Sequence, residues 1–362
     1  MAYDSDTRVK ETLKDITRNV NPKNLILRIF DESNDDQKHW TKGGLTFGPI
    51  SCIYGSNDAG WFLKKPFIID NKKVSDFTPV IVVEGSYGTE TGNTGSAQYA
   101  RFSHALGAVK EGFIGVYFVP FQSTYRKSDG SETTAYVRYD MIYAALNASE
   151  IEKGQYLFID AYNTKLMEEF LRILDEGDKT KIEEMIIKIK NIMKNFADRH
   201  SSADRRRYLY NSSRVGKLLM FNVVSFSAYN FRTNTKYKAG RFRNGHTIVG
   251  DALITYYWHK KPVDLVLARF THEDCKKLDE FKKKEWLLLR TSKNINVVTL
   301  DDLEFQDKSL KRELYNFLDV LPLLGASLKN KNRLAKKIFN GFQQGTIKIN
   351  FDKVRKNEYK EV

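Results

Sequence analysis

Between Pro66 and Phe121 the chain reads as strand, turn, strand, helix, strand, with its carboxylates gathered where the first two strands meet. Pro66-Phe-Ile-Ile-Asp70 is an apolar run ending in an acid, Asn71 to Asp76 has the composition of a polar turn, and Pro79-Val-Ile-Val-Val-Glu84-Gly85-Ser86 is a buried-type strand broken by glycine. Neighbouring strands lie about 4.8 Å apart. Asp70 or Asp76 on one strand and Glu84 on the other would then both reach a hard cation, which takes oxygen ligands at about 2.0–2.1 Å in the case of magnesium.

Four glycines, Gly85, Gly88, Gly92 and Gly95, lead into Ser96-Ala-Gln98-Tyr-Ala-Arg101-Phe-Ser-His104-Ala-Leu-Gly-Ala-Val-Lys110. Ser96 is an N-cap candidate, and Phe102, Leu106 and Val109 recur at helical spacing, so a helix with a core face is predicted. Gln98 and Arg101, three apart, share another face. From there they can point back at Glu84 or at a phosphate near the helix N-terminus. Gly112 ends the helix, and Phe113 to Pro120 reads as the next strand.

These residues resemble the PD-(D/E)XK nuclease superfamily, and more narrowly the type II restriction endonucleases built on it. The core of that family is a hairpin bearing Asp and Glu, then a helix, then a strand. The resemblance implies Mg2+ held by Asp70 and Glu84, with Asp76 as the alternative acid, and catalytic work shared among Asp70, Asp76, Glu84, Ser86 and Gln98. Where the family carries a lysine two residues after the Glu, this chain has Ser86. Lys64, Lys65, Lys72, Lys73, Lys110 or the polar Gln98 are the candidates to replace it.

Each residue also has a purely structural explanation. Asp70 and Asp76 flank a turn, where aspartate is favoured anyway. Gln98 and Arg101 could form a solvated helix face, and His104, beside the apolar stripe, suits packing or hydrogen bonding better than base catalysis. Glu84 is harder to explain away, because an acid after Val-Ile-Val-Val in a buried strand is costly unless paired or metal-bound.

Charge divides the chain. The formal net charge is +14, yet residues 1–200 hold 26 basic against 28 acidic residues and residues 201–362 hold 33 against 17. Within 201–250, ten basic residues face the single acid Asp204, interleaved with eight tyrosines and phenylalanines. That composition suits a polyanion. Arg205, Arg206, Arg207, Arg214, Arg232, Lys236, Lys238, Arg241 and Arg243 are the candidate DNA contacts, since guanidinium forks match phosphates and guanine edges. A second basic stretch, Lys329 to Lys337, reads as a helix that could follow a nucleic-acid backbone.

Other functions lack their signatures. Cys52 and Cys275 have no CxxC partner, so neither a zinc site nor a disulfide framework is indicated. There is no P-loop, and the glycines at 85–95 lack dinucleotide-binding spacing. No leader and no run of about eighteen apolar residues is present, which predicts a soluble cytoplasmic protein without membrane contact.

The expected architecture is α/β. Residues 1–200 form a nuclease-like catalytic domain with a mixed sheet flanked by helices, ending in a helical spacer or dimer surface broken at Gly177. Residues 201–362 form a basic α+β DNA-recognition domain. Residues 41–65 read as a glycine-rich loop, and Glu285 to Arg290 and Ile295 to Leu300 as strands. The expected function is Mg2+-dependent, sequence-specific cleavage of double-stranded DNA; a non-catalytic DNA-binding protein is the alternative. A palindromic target would favour a homodimer, and a restriction enzyme implies a companion DNA methyltransferase.

Overall fold

The computed structural model describes residues 5–29, 54, 57–64, 67–69, 72–74, 79–91, 96–204, 218–221, 229–230, 235–236, 245–267, 271–281, 284–313, 337, 340–342 and 344–356. The chain divides into two units, Met1–Arg207 and Tyr208–Val362.

In the first unit, helix α1 (Ser5–Val20) precedes strands β1 (Leu25–Ile29) and β2 (Ala59–Leu63). A short hairpin of β3 (Phe67–Ile69) and β4 (Lys72–Val74) follows, then β5 (Pro79–Gly85), helix α2 (Ser96–Lys110) and β6 (Ile114–Val119). A second hairpin, β7 (Gln122–Arg126) with β8 (Glu132–Tyr136), leads to α3 (Tyr139–Ile151), β9 (Gln155–Asp160), α4 (Thr164–Glu176) and α5 (Lys179–Asp204). The five-stranded sheet runs β1-β2-β5-β6-β9. Its first three strands are antiparallel and its last three parallel. The fold is therefore α/β with a mixed sheet flanked by helices.

Two predictions fail here. The segment 41–65 contains a strand, because Trp61 and Phe62 of β2 are buried and the strand pairs on both sides. Its glycine, Gly60, is a close-approach residue: a Cβ there would lie 3.0 Å from the Ile81 carbonyl oxygen. Secondly, β5 has β2, not the Phe67–Ile69 strand, as its antiparallel neighbour; among the described residues Phe67–Ile69 pairs with Lys72–Val74. Asp70 and Asp76 themselves lie outside the described residues.

Helix α1 covers one face of the sheet through Val9, Leu13 and Ile16, all buried. The indole N–H of Trp61 donates to Thr17 Oγ1 at 3.1 Å and ties β2 to it. On the other face the Phe102 ring of α2 stacks on Tyr156 of β9 at 4.9 Å, and the Tyr156 hydroxyl donates to the Phe102 carbonyl at 2.8 Å. Phe102, Leu106 and Val109 are fully buried, as their spacing predicts, but Ser103, Ala105 and Ala108 are buried too. From Arg101 to Lys110 most of the helix circumference is thus core.

Helices α4 and α5 turn at Gly177, whose φ of 73° is a left-handed C-cap. They do not form a spacer. Met167, Phe170, Met185, Ile189 and Met193 are buried, and the Phe158 backbone N–H on edge strand β9 meets Met193 Sδ at 3.2 Å. The long helix covers an edge that would otherwise present unpaired backbone groups.

In the second unit, β10 (Leu218–Phe221), β13 (Val263–Leu267) and β14 (Ile295–Thr299) form a parallel sheet in that order. Helix α6 (Gly245–His259) connects the first pair, and α7 (His272–Phe281) and α8 (Lys284–Thr291) the second. Parallel strands with helical crossovers make an α/β arrangement in this region, not the α+β one expected. Glu285 to Arg290 belongs to α8 and is not a strand; Trp286, Leu288 and Leu289 are buried. Two small antiparallel pairs complete the described strands of this unit: β11 (Tyr229–Asn230) with β12 (Thr235–Lys236), and β15 (Leu303–Phe305) with β16 (Ile347–Ile349).

Candidate functional site

The site forms where β2 begins, β5 ends and α2 crosses above them. Ala59 pairs with Val83, so Asp58 falls opposite Glu84 across the antiparallel pair. The register is held at both ends: Asp58 N–H donates to the Val83 carbonyl at 3.1 Å, and Gly85 N–H donates to Asp58 Oδ2 at 2.8 Å. Asp58 thus sets a carboxylate beside Glu84 from the adjacent strand, while the expected partners, Asp70 and Asp76, lie outside the described residues. Sequence reading missed Asp58 because it lay in the segment read as loop. The available signal was an acid placed directly before Ala-Gly-Trp-Phe-Leu63.

Alternation along β5 sends Glu84 towards α2 and Gly85 towards α1. A Cβ at Gly85 would lie 2.3 Å from Val9 Cγ1. Helix α2 lowers Arg101 onto the acids. Its Nη1 donates to Glu84 Oε1 at 3.0 Å and to the Gly85 carbonyl at 2.8 Å, and lies 3.6 Å from Asp58 Oδ2. His104, one turn further along, places Nδ1 3.2 Å from the same Glu84 oxygen. Asn57 Nδ2 donates to the His104 carbonyl at 3.3 Å and anchors the start of β2 to α2.

The carboxylate of Glu84 is 2% exposed, so its neutralisation by Arg101 is a physical requirement of the fold. Its other oxygen, Oε2, has no hydrogen-bond partner among the described residues. Gln98, one turn before Arg101, is fully buried with neither amide atom partnered among them. The Tyr117 ring stands beside Glu84 in register across β5 and β6, and burial pushes its phenol well above the ordinary value. Asn57 Oδ1, Glu84 Oε2 and both amide atoms of Gln98 are thus buried without a hydrogen-bond partner among the described residues. Buried polar groups without partners are uncommon.

Ser86, two residues after Glu84, is buried, with Oγ accepting the Gly88 N–H at 3.0 Å. Among the lysine candidates, Lys64 donates to the Pro22 carbonyl and Lys110 pairs with Glu152 at 2.7 Å. Neither contact belongs to the acid pair. Arg101 lies within 4 Å of both acids. Among the described residues, no group of three His, Cys, Asp or Glu side chains is placed to hold a metal. Magnesium commonly takes only one or two carboxylates from the protein, the rest coming from water and substrate phosphates, so Asp58 and Glu84 with a buried, unpartnered Oε2 fit such an ion.

Of the candidate DNA contacts, Arg205, Arg206, Arg207, Arg214, Arg232, Lys238, Arg241 and Arg243 lie outside the described residues, and Lys236 sits in β12. The second unit holds a separate cavity of about 380 Å³ lined in part by His272, Trp286, Arg290 and Asp302. Asp302 is already engaged there, by His272 Nε2 at 2.7 Å and by Thr299 Oγ1 at 2.9 Å. Cys275, in its wall, is buried and forms no disulfide among the described residues. Among the described residues no helix is long and apolar enough to cross a membrane.

Neither protein-family models, nor curated proteins, nor solved structures give a match to this chain.

Proposed function

We propose that this protein is a Mg2+-dependent, sequence-specific endonuclease for double-stranded DNA, a type II restriction enzyme on a PD-(D/E)XK core. The observation that carries the reading is the meeting of Asp58 and Glu84 across β2 and β5, with Glu84 Oε2 unpartnered among the described residues. The order of elements supports it in part: β2, just after Asp58, pairs antiparallel with β5, which carries Glu84, and helix α2 and parallel strand β6 follow, although the β3–β4 hairpin separates the first two strands. In this assignment Asp58 takes the role that the sequence suggested for Asp70 or Asp76.

A divalent cation held by Asp58 and Glu84 would supply Lewis-acid stabilisation of phosphoryl charge and a more acidic water. The chain's own residues do the rest. Val9 and the Gly85 N–H fix the acids in place, the Gln98 amide offers a donor and an acceptor inside the site, and Arg101 supplies positive charge beside a phosphate. The basic residues 205–243 would hold the duplex, a palindromic target would be met by a homodimer, and a companion methyltransferase would protect the host sequence.

Plasmid DNA incubated with the protein in Mg2+ should give discrete fragments, and none in a chelator. One observation favours a second reading, a non-catalytic DNA-binding protein: Arg101 already answers the charge of Glu84. Sequence-specific binding with intact DNA in Mg2+ would establish that alternative.

A further inference from the structure

We propose that Arg101 is an internal counter-ion that occupies the metal site until a divalent cation displaces it, after which its guanidinium faces the scissile phosphate. The inference rests on the nuclease reading, and begins from one atom. Arg101 Nη1 touches Glu84 Oε1 at 3.0 Å, the Gly85 carbonyl at 2.8 Å and Asp58 Oδ2 at 3.6 Å. All three oxygens belong to the two strands that build the site. They are hard donors, and both carboxylates are among those a magnesium or calcium ion would use.

Two carboxylates facing one guanidinium, one of them 2% exposed, repel one another and are poorly hydrated, so the pair needs a cation beside it to fold. The guanidinium meets that need, and a divalent ion would meet it better. Both cannot do so at once, because like charges within about 4 Å repel strongly where water is scarce. The geometry also decides which partner moves. Glu84 is fixed in the middle of the sheet, whereas the Arg101 side chain is 21% exposed and reaches the acids from a helix above them, so it can swing towards solvent. Once released, its planar fork remains at the mouth of the site, where it matches two phosphate oxygens. Arg101 then stands in for the lysine that Ser86 replaces.

The test uses the full-length protein without DNA and Ca2+ alone as the probe. Calorimetric titration should show Arg101→Gln binding Ca2+ about tenfold or more tighter than wild type, since the competing charge is gone. Arg101→Lys, which keeps the charge, should stay near wild type. Equal affinities for wild type and Arg101→Gln would overturn the counter-ion role while leaving the metal site standing. Absence of Ca2+ binding in both would overturn it together with the metal reading. Should Arg101→Gln fail to fold, wild type supplies the second measurement. Phenylglyoxal should modify Arg101 several-fold faster in Ca2+ than in chelator, read by mass spectrometry of the peptide containing it. An unchanged or slower rate would contradict displacement.

Discussion

Val9 of α1 closes on Gly85 so tightly that a Cβ at residue 85 would lie 2.3 Å from Val9 Cγ1 and 2.8 Å from Cγ2. Gly85 stands between Glu84 and Ser86, and its N–H holds Asp58, so the contact links the first helix to the acid pair. Gly85→Ala should therefore cost about 1–3 kcal/mol of stability by overpacking. Val9→Ala in the same chain should restore part of it. Urea denaturation of both single variants and the double checks this, and simple additivity of the two losses would contradict it.

Gln98 predicts a trade between stability and activity. It is fully buried, and its amide atoms have no partner among the described residues. Replacing an unsatisfied polar group by an apolar one of similar size is neutral or stabilising. Gln98→Met should accordingly leave the urea midpoint unchanged or raise it, while lowering the cleavage rate. A marked loss of stability would assign Gln98 to the fold instead of the site.

Asp160, at the end of β9, has its carboxyl raised above the usual 3.8 by burial, against the opposing pull of hydrogen bonds from the Tyr162 and Phe121 amides. The native state then binds its proton more tightly than the unfolded chain. The group's contribution to stability is largest at low pH and is lost as pH climbs from the ordinary carboxylate range through the raised value. Asp160→Asn keeps an oxygen for both amides and removes the titration. Its stability should match wild type at low pH and exceed it at neutral pH. Parallel stability curves for the two proteins across that range would refute the assignment.

If the basic residues from 201 to 250 contact the duplex, log affinity should fall against log salt with a slope of about −0.9 per neutralised phosphate. Replacing Arg205, Arg206 and Arg207 together by alanine should lower affinity and flatten that slope. Titrations of cognate and scrambled duplexes at several salt concentrations measure both. An unchanged slope would move the DNA surface elsewhere, with Lys329 to Lys337 the next candidate.

What the sequence made legible was local. Phe102, Leu106 and Val109 announced α2, the Val-Ile-Val-Val run announced β5, and the spacing of Arg101 placed it where it could reach Glu84. Strand partners are set by distant chain, and here local signals misled. Phe67–Ile69 is close in sequence to β5 and invites pairing with it, while the true neighbour lies in a segment whose glycines suggest a loop. With β2 hidden, Asp58 was hidden too. Glu285-Trp-Leu-Leu-Leu-Arg290 failed for another reason: short apolar runs do not separate strand from helix, and Glu, Leu and Arg are good helix formers.

The central claim is that Asp58 and Glu84 together form a metal-dependent cleavage site. It is tested most directly by measuring Mg2+-dependent plasmid cleavage for wild type, Asp58→Asn and Glu84→Gln, alongside DNA binding of the same three proteins in Ca2+. A metal ligand is worth several kcal/mol in the transition state, so each substitution should slow cleavage by about 10²-fold or more. DNA binding should stay within a few-fold of wild type, because phosphate contacts are untouched. Near-normal cleavage by Asp58→Asn, or cleavage by wild type in a chelator, would contradict the claim.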